Sequence, residues 1–222
     1  MPRPSPFEPG SVRGLIFDLD GTLVDSYAAI GDSLNHARAH YQLPPLSDDD
    51  VRRGVGRGLE SLIAELVGEE RVAQGVRLFR ERYAEVFETA TVALPGVRSV
   101  LSRLSAMGYP MTVASNKPAR FSEPILERLG LLRFIARVEG PDRAGRTKPD
   151  PAMLRACLTA MGLPAAHALY VGDMVLDVES ARAAGVPVVL VRGGSSDAQE
   201  LDTTGELVID SIGKLPDLLH RG

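Results

Sequence analysis

The chain has 222 residues, a length that suits one large domain or a core domain with a smaller insertion. Hydrophobic residues make up 44% and charged residues 24% of it, values typical of globular proteins, which excludes wholesale disorder. Acidic residues outnumber basic ones by 29 to 25, which argues against a nucleic-acid binder, and no apolar run approaches the ~18 residues of a membrane span.

The first residues and the cysteine content bear on the compartment. Residues 1–11 are rich in proline and lack an apolar segment, so they predict a loose tail and no signal peptide. The single Cys157 can form neither an internal disulfide nor a thiolate metal cluster, as is typical of a reducing compartment. We therefore expect a cytoplasmic protein that does not associate with a membrane.

Short apolar runs rich in β-branched residues, bounded by Gly, Asp, Asn or Pro, predict strands along the chain. They cover residues 12–17, 109–114, 135–138, 168–171 and 186–191. Helical patterns that end in glycine, such as residues 97–108, lie between these runs. This alternation predicts an α/β fold class: a Rossmann-like parallel sheet with helices on both faces.

Residues 26–93 interrupt the alternation, because they contain helical patterns and no convincing strand. Those patterns cover residues 28–40, 59–67 and 72–89. Ser47 precedes an acidic stretch and is predicted to cap a further helix. An all-helical block inserted after the first strand predicts a cap domain at 26–93, with the core domain formed by 12–25 and 94–222.

The segment FDLDGTLVDS follows the first predicted strand. Asp18 and Asp20 lie on one side of an extended chain at the carboxyl end of that strand, where open α/β sheets bind their ligands. Gly21 then permits a tight turn whose backbone N–H groups can face an anion. Two adjacent carboxylates in a partly desolvated site repel each other unless a cation neutralises them or one stays protonated. Two aspartates separated by one residue, without further motifs, are also typical of a turn residue and a helix-capping residue.

Together with three later motifs, this segment resembles the phosphatase branch of the haloacid dehalogenase superfamily. The second predicted strand ends in Ser115, and TKPDP supplies Lys148. The motif YVGDMVLD then supplies Gly172, Asp173 and Asp177. The motifs occur in the family's order and cover most of the chain outside the predicted cap.

The resemblance implies a Mg²⁺-dependent phosphatase. Asp18 would be the nucleophile that forms an aspartyl-phosphate, and Asp20 would be the general acid and base. Both would also bind the metal, Asp20 through its backbone carbonyl. The Ser115 hydroxyl and the Asn116 backbone N–H would bind phosphate oxygens.

The remaining motif residues complete the implied site. Lys148 would bind the phosphate and stabilise the charge of the transferring phosphoryl group. Asp173 would be a metal ligand, and a divalent cation held by oxygen ligands suits Mg²⁺. Asp177 lies four residues further on and would accept a hydrogen bond from a metal-bound water.

Particular residues argue against two of the activities found in the superfamily. Asp20 argues against a dehalogenase, and the absence of lysine between Val24 and Leu94 excludes a phosphonoacetaldehyde hydrolase. The motifs look most like phosphoglycolate phosphatases, although Met174 stands where that group often has Ser or Thr. Two alternatives are consistent with the motifs. One is a sugar-phosphate phosphatase, such as those acting on N-acetylmuramic acid 6-phosphate, and the other is a β-phosphoglucomutase-like phosphotransferase. A non-catalytic phosphate-binding protein is a remote alternative.

We expect the predicted cap to select the substrate, because the core motifs recognise only its phosphate group. Arg57 lies in a glycine-rich loop and is a candidate partner for a substrate carboxylate. The alternative, to which we give equal weight, is a flexible loop whose arginine is solvated and binds no substrate. We expect a small phosphorylated metabolite as the partner, no nucleic acid, and a monomer or homodimer.

Overall fold

A six-stranded sheet lies at the centre of the computed structural model, which describes residues 8–220. The strands are β1 (Gly14–Phe17), β2 (Val24–Asp25), β3 (Val92–Ala93), β4 (Met111–Ala114), β5 (Arg137–Glu139), β6 (Ala168–Gly172), β7 (Val188–Val191) and β8 (Leu207–Ile209). The sheet has the order β5-β4-β1-β6-β7-β8, and every pairing in it is parallel. The predicted α/β fold class is confirmed.

Helices that follow β3 cover both faces of this sheet. The helices of the described residues are α1 (Tyr27–His40), α2 (Asp48–Gly54), α3 (Leu59–Leu66), α4 (Val72–Val86), α5 (Val97–Ala106), α6 (Ala119–Arg128), α7 (Pro141–Ala144), α8 (Ala152–Met161), α9 (Val175–Ala184), α10 (Ala198–Thr203) and α11 (Leu215–Leu219). Helix α5 lies in the hydrophobic cluster on one face, and α8 and α9 lie in the cluster on the other. Side chains of β1 alternate between two hydrophobic clusters, with Leu15 and Phe17 in one and Ile16 in the other. No helix within residues 8–220 is long and apolar enough to cross a membrane.

The helices α1 to α4 have a hydrophobic cluster of their own, which includes Leu34, Ile63 and Phe79. The cap predicted at Ser47 is present, since its hydroxyl accepts the backbone N–H of Asp50 at 3.2 Å. A separate core supports the predicted helical cap, whose boundaries at 26 and 93 stay a prediction.

The structure adds strands that the sequence pattern did not indicate. Strands β2 and β3 form a two-residue antiparallel pair where the chain leaves and re-enters the core, and β8 extends the sheet edge. Strands of two or three residues are too short to show the alternation of apolar and polar residues that indicates a strand. Within the predicted tail, residues 1–7 lie outside the described residues, while Pro9–Ser11 form a 3₁₀ turn.

Candidate active site

The carboxyl ends of three neighbouring strands bring the predicted site residues together. Asp18 follows β1, Ser115 follows β4, and Asp173 directly follows β6. Strands β4 and β6 both pair with β1 in parallel, so their carboxyl ends meet at one edge of the sheet. Lys148, from the loop between α7 and α8, reaches the same edge, where its amine lies 2.9 Å from Asp18 Oδ2.

Three buried carboxylates form the floor of this site. Oxygens of Asp18, Asp173 and Asp177 lie within 4.8 Å of one another. The Lys148 amine contacts two of these groups, since it also lies 2.8 Å from Asp177 Oδ1. If all are ionised, three negative charges face one positive charge, and the remaining two have to be balanced by a cation or by protons.

The pKa values of these groups shift accordingly. Burial raises the pKa of Asp18 to about 6, against the opposing effect of Lys148. Burial, together with the charges of Asp18 and Asp177, raises the pKa of Asp173 well above its usual range. Burial alone would lower the pKa of Lys148, but Asp177 and Asp18 outweigh it and raise that pKa, so this lysine stays charged.

The side chains present fit a metal ion. Asp18 Oδ1 is buried and has no hydrogen-bond partner among residues 8–220. An unpartnered carboxylate oxygen, beside further carboxylates with excess negative charge, is the donor set that a hard divalent cation prefers. Asp18 and Asp173 can therefore hold such a cation at the carboxyl edge of the sheet.

Asp173 is held tightly in place. Its Oδ1 accepts the Thr22 hydroxyl at 2.7 Å, and its Oδ2 accepts the backbone N–H of Ser195, also at 2.7 Å. A Cβ atom would come within 2.5 Å of Asp173 Oδ2 at Gly21 and within 2.0 Å at Gly194. The predicted tight turn at Gly21 is present, with a φ of 82°. Two glycines thus make room for this carboxylate.

Asp177 contacts protein groups through both of its oxygens. Oδ2 accepts the backbone N–H groups of Asp173 at 3.1 Å and Met174 at 3.0 Å, at the start of α9. Oδ1 accepts the Tyr170 hydroxyl at 2.8 Å in addition to the Lys148 amine. In this structure Asp177 positions Lys148 and the Asp173 loop, and a contact with a metal-bound water stays a prediction.

Asp20 has a partner that the sequence analysis did not assign. The Lys117 amine lies 2.5 Å from Asp20 Oδ1, and the Ser26 hydroxyl donates to the same oxygen at 2.6 Å. The side chains of Lys117 and Asp20 are only 7% and 12% exposed, so this ion pair is largely shielded from solvent. The available signal was that Lys117 directly follows the Ser-Asn motif in a chain with three lysines.

Asn116 connects the two parts of the site. Its side-chain amide donates to the Gly56 carbonyl at 2.7 Å, and its Oδ1 accepts the Lys148 backbone N–H, also at 2.7 Å. Ser115 lies beside it, and its hydroxyl oxygen accepts the Lys117 backbone N–H at 3.3 Å. The predicted contacts of Ser115 and Asn116 with phosphate stay predictions.

A cavity of about 310 Å³ lies above these residues, between the sheet edge and the helices α1 to α4. Its lining includes Asp18, Asp20 and Lys148 from the core, together with apolar side chains such as Leu62 and Phe79 from the helices. Arg57 is exposed and is not among the lining residues, whereas its neighbours Gly56 and Gly58 are. The structure therefore brings together the predicted core residues and leaves Arg57 outside the cavity.

Comparison with known proteins finds one matching family and several relatives with the same name. A haloacid dehalogenase-like hydrolase family profile matches residues 15–191. A Chromobacterium violaceum protein named phosphoglycolate phosphatase is 35% identical over 219 residues, covering 95% of this chain and 98% of the relative. One of the same name from Rhodospirillum rubrum is 38% identical over 218 residues, covering 93% and 90%. A crystal structure described as a predicted phosphoglycolate phosphatase from Haemophilus somnus superposes with a TM-score of 0.85 at 26% identity, covering 94% and 98%.

Proposed function

This chain belongs to the haloacid dehalogenase-like hydrolase family, and we propose that 2-phosphoglycolate is the phosphate ester that it hydrolyses. The chain is a phosphoric monoester hydrolase. The observation that carries the proposed chemistry is the buried contact between Asp18 and Lys148 at the floor of a cavity that Asp20 also lines. The names of the relatives support glycolate as the leaving group.

The first step transfers the phosphoryl group to the protein. A carboxylate oxygen of Asp18 attacks phosphorus in line, and the bond between phosphorus and the ester oxygen breaks. Asp20 gives its proton to the departing glycolate oxygen, so the leaving group departs as a neutral alcohol. Lys148, with the Ser115 hydroxyl and the Asn116 N–H, binds the non-bridging phosphate oxygens as their charge shifts.

The second step returns the protein to its starting state. Asp20, now a carboxylate, takes a proton from a water molecule that attacks the phosphorus of the aspartyl-phosphate. The bond between phosphorus and the Asp18 oxygen breaks, which releases inorganic phosphate and the Asp18 carboxylate. Lys117 and Ser26 hold the Asp20 side chain in one position through both steps.

For the metal we propose Mg²⁺, held by the carboxylates of Asp18 and Asp173 and by the backbone carbonyl of Asp20. When bound, the cation neutralises the negative charge of the phosphate ester and of the carboxylates around it. The unpartnered Asp18 oxygen and the excess of two buried negative charges support this assignment.

Removing divalent cations is expected to abolish phosphate release and to lower the melting temperature, because like-charged buried carboxylates then face one another. Mg²⁺ should restore both properties. The checks are phosphate release and thermal unfolding in excess chelator, before and after Mg²⁺ is added. Full turnover with chelator in excess would contradict the metal assignment.

Replacing Asp20 by asparagine is expected to separate the two steps. With p-nitrophenyl phosphate the leaving group needs no proton, so Asp18 can still be phosphorylated, but hydrolysis of the aspartyl-phosphate lacks its base. Stopped-flow absorbance should show a nitrophenol burst near one equivalent, followed by slow turnover. Near-normal steady-state rates without a burst would contradict the acid and base role of Asp20.

The substrate is tested by measuring released phosphate with Mg²⁺ over a set of phosphorylated metabolites. We expect 2-phosphoglycolate to give the highest kcat/KM of the set. A higher value for N-acetylmuramic acid 6-phosphate would favour a sugar-phosphate phosphatase. A requirement for a sugar bisphosphate, with little phosphate released, would favour a phosphotransferase. If no ester is hydrolysed, the result would favour a phosphate-binding protein without catalytic activity.

A further inference from the structure

The side chain of Tyr83 presents an unpaired donor to the cavity. Tyr83 lies on α4, is 4% exposed and lines the cavity together with Asp20 and Lys117. Its hydroxyl has no hydrogen-bond partner among residues 8–220. A buried hydroxyl without a partner lowers the stability of a folded protein, so a ligand that pairs with it is a natural explanation for its presence.

The position of this hydroxyl is fixed by the aromatic rings around it. The Tyr83 ring stacks on Phe79 and Phe87, with centroids 5.3 and 5.7 Å away, and meets Phe121 edge to face at 5.3 Å. Phe121 lies on α6 of the core, so contacts from both parts of the molecule hold the ring. The hydroxyl is therefore held ready for a ligand and is not free to turn toward solvent.

Lys117 supplies a second donor at the same place. Its amine lies 5.5 Å from the centroid of the Tyr83 ring. Its amine donates to Asp20 Oδ1 and to the Ser26 hydroxyl, and it also faces the Tyr83 hydroxyl. A carboxylate that accepts the Tyr83 hydroxyl would therefore lie beside a positive charge.

Both groups remain donors at neutral pH. Burial raises the pKa of Tyr83, so its hydroxyl keeps its proton. The Lys117 amine forms a buried ion pair with Asp20. The Tyr83 hydroxyl has one proton to donate and a lone pair that can accept, whereas the Lys117 ammonium group only donates.

We propose that the Tyr83 hydroxyl, beside the positive charge of the Lys117 amine, forms a subsite for a carboxylate on the leaving group of the substrate. The inference rests on the proposed function. Asp20 contacts Lys117 and is the residue proposed to protonate the ester oxygen, so the subsite lies where a leaving group with a nearby carboxylate would place it.

This assignment replaces the role expected for Arg57. Arg57 is exposed and does not line the cavity, whereas Tyr83 and Lys117 are buried and do. A donor that lines the cavity lies near a carboxylate that is only a few bonds from phosphorus.

The test is the variant Tyr83→Phe, which removes one oxygen and keeps the ring. Phosphate release is measured with 2-phosphoglycolate and with ethyl phosphate, which has no carboxylate. We expect the ratio of the two kcat/KM values to fall about 10- to 100-fold, the usual effect of losing a hydrogen bond to a charged group. The control is Tyr41→Phe, on the same helical region but outside the cavity lining, which should leave that ratio unchanged.

The thermal unfolding of the ligand-free variant gives an independent readout. Because the hydroxyl has no partner in the described structure, Tyr83→Phe should melt at the same temperature as the natural chain or higher. A lower melting temperature with equal losses on both esters would mean a structural role and would overturn the subsite. An unchanged ratio, with 2-phosphoglycolate still hydrolysed by the natural chain, would overturn the subsite alone. No hydrolysis of 2-phosphoglycolate by the natural chain would overturn the proposed function and the subsite with it.

Discussion

Replacing Asp18 by asparagine is expected to lower turnover of every phosphate ester by a factor on the order of 10⁴ or more, because the substitution removes the proposed nucleophile. An activated ester such as p-nitrophenyl phosphate should not restore activity, since a better leaving group does not replace the missing carboxylate. The measurement is phosphate release with Mg²⁺ at matched protein concentrations.

The fold should survive this change. Asparagine has the size of aspartate, and the substitution removes one of three buried negative charges that repel one another. Without a divalent cation, the melting temperature of Asp18→Asn should therefore equal or exceed that of the natural chain. The control is Asp49→Asn, at an exposed position in the first turn of α2, which should retain activity. Appreciable turnover by Asp18→Asn would contradict the role of Asp18 as nucleophile.

Replacing Lys148 by methionine should damage both stability and activity. The Lys148 side chain is 2% exposed and its amine contacts Asp18 and Asp177, so its loss leaves two buried carboxylates without their positively charged partner. Breaking a buried ion pair in this way costs about 3–5 kcal/mol of unfolding free energy. Loss of the charge that we propose to stabilise the transferring phosphoryl group should also lower kcat/KM about 10²- to 10³-fold.

Urea unfolding and phosphate release measure these two effects separately. Lys214→Met is the matched control, because Lys214 pairs with Asp210 on the surface and its side chain is 58% exposed. Its loss should change the unfolding free energy by less than about 1 kcal/mol and leave phosphate release unchanged. Equal stability losses in the two variants would contradict the structural importance of the buried Lys148 contacts.

The family and the fold were predictable because their signals are local. Asp18, Ser115 and Asp173 each follow a short apolar run, and the carboxyl ends of parallel strands share one edge, so sequence order alone predicts that these residues meet. The family profile and the relatives confirm the resemblance read from the four motifs. The roles of the individual residues in catalysis stay predictions.

The cap side of the site could not be derived in the same way. Tyr83 follows a helical apolar pattern and reads as a core residue, and its position next to Lys117 depends on how the helices α1 to α4 lie over the sheet. Arg57 is exposed and outside the cavity lining, in a loop whose glycines Gly56 and Gly58 have positive φ angles of 118° and 97°. Glycine permits such angles without dictating them.

The most direct test of the proposed mechanism is the mass of the phosphorylated protein. The Asp20→Asn variant is mixed with p-nitrophenyl phosphate and Mg²⁺, quenched in acid during the burst, and examined by intact-mass and peptide mass spectrometry. We expect one added phosphoryl group, located on the peptide that contains Asp18 and absent from the Asp18→Asn, Asp20→Asn double variant. A burst of nitrophenol without added mass, or a phosphoryl group on another residue, would contradict the aspartyl-phosphate on Asp18.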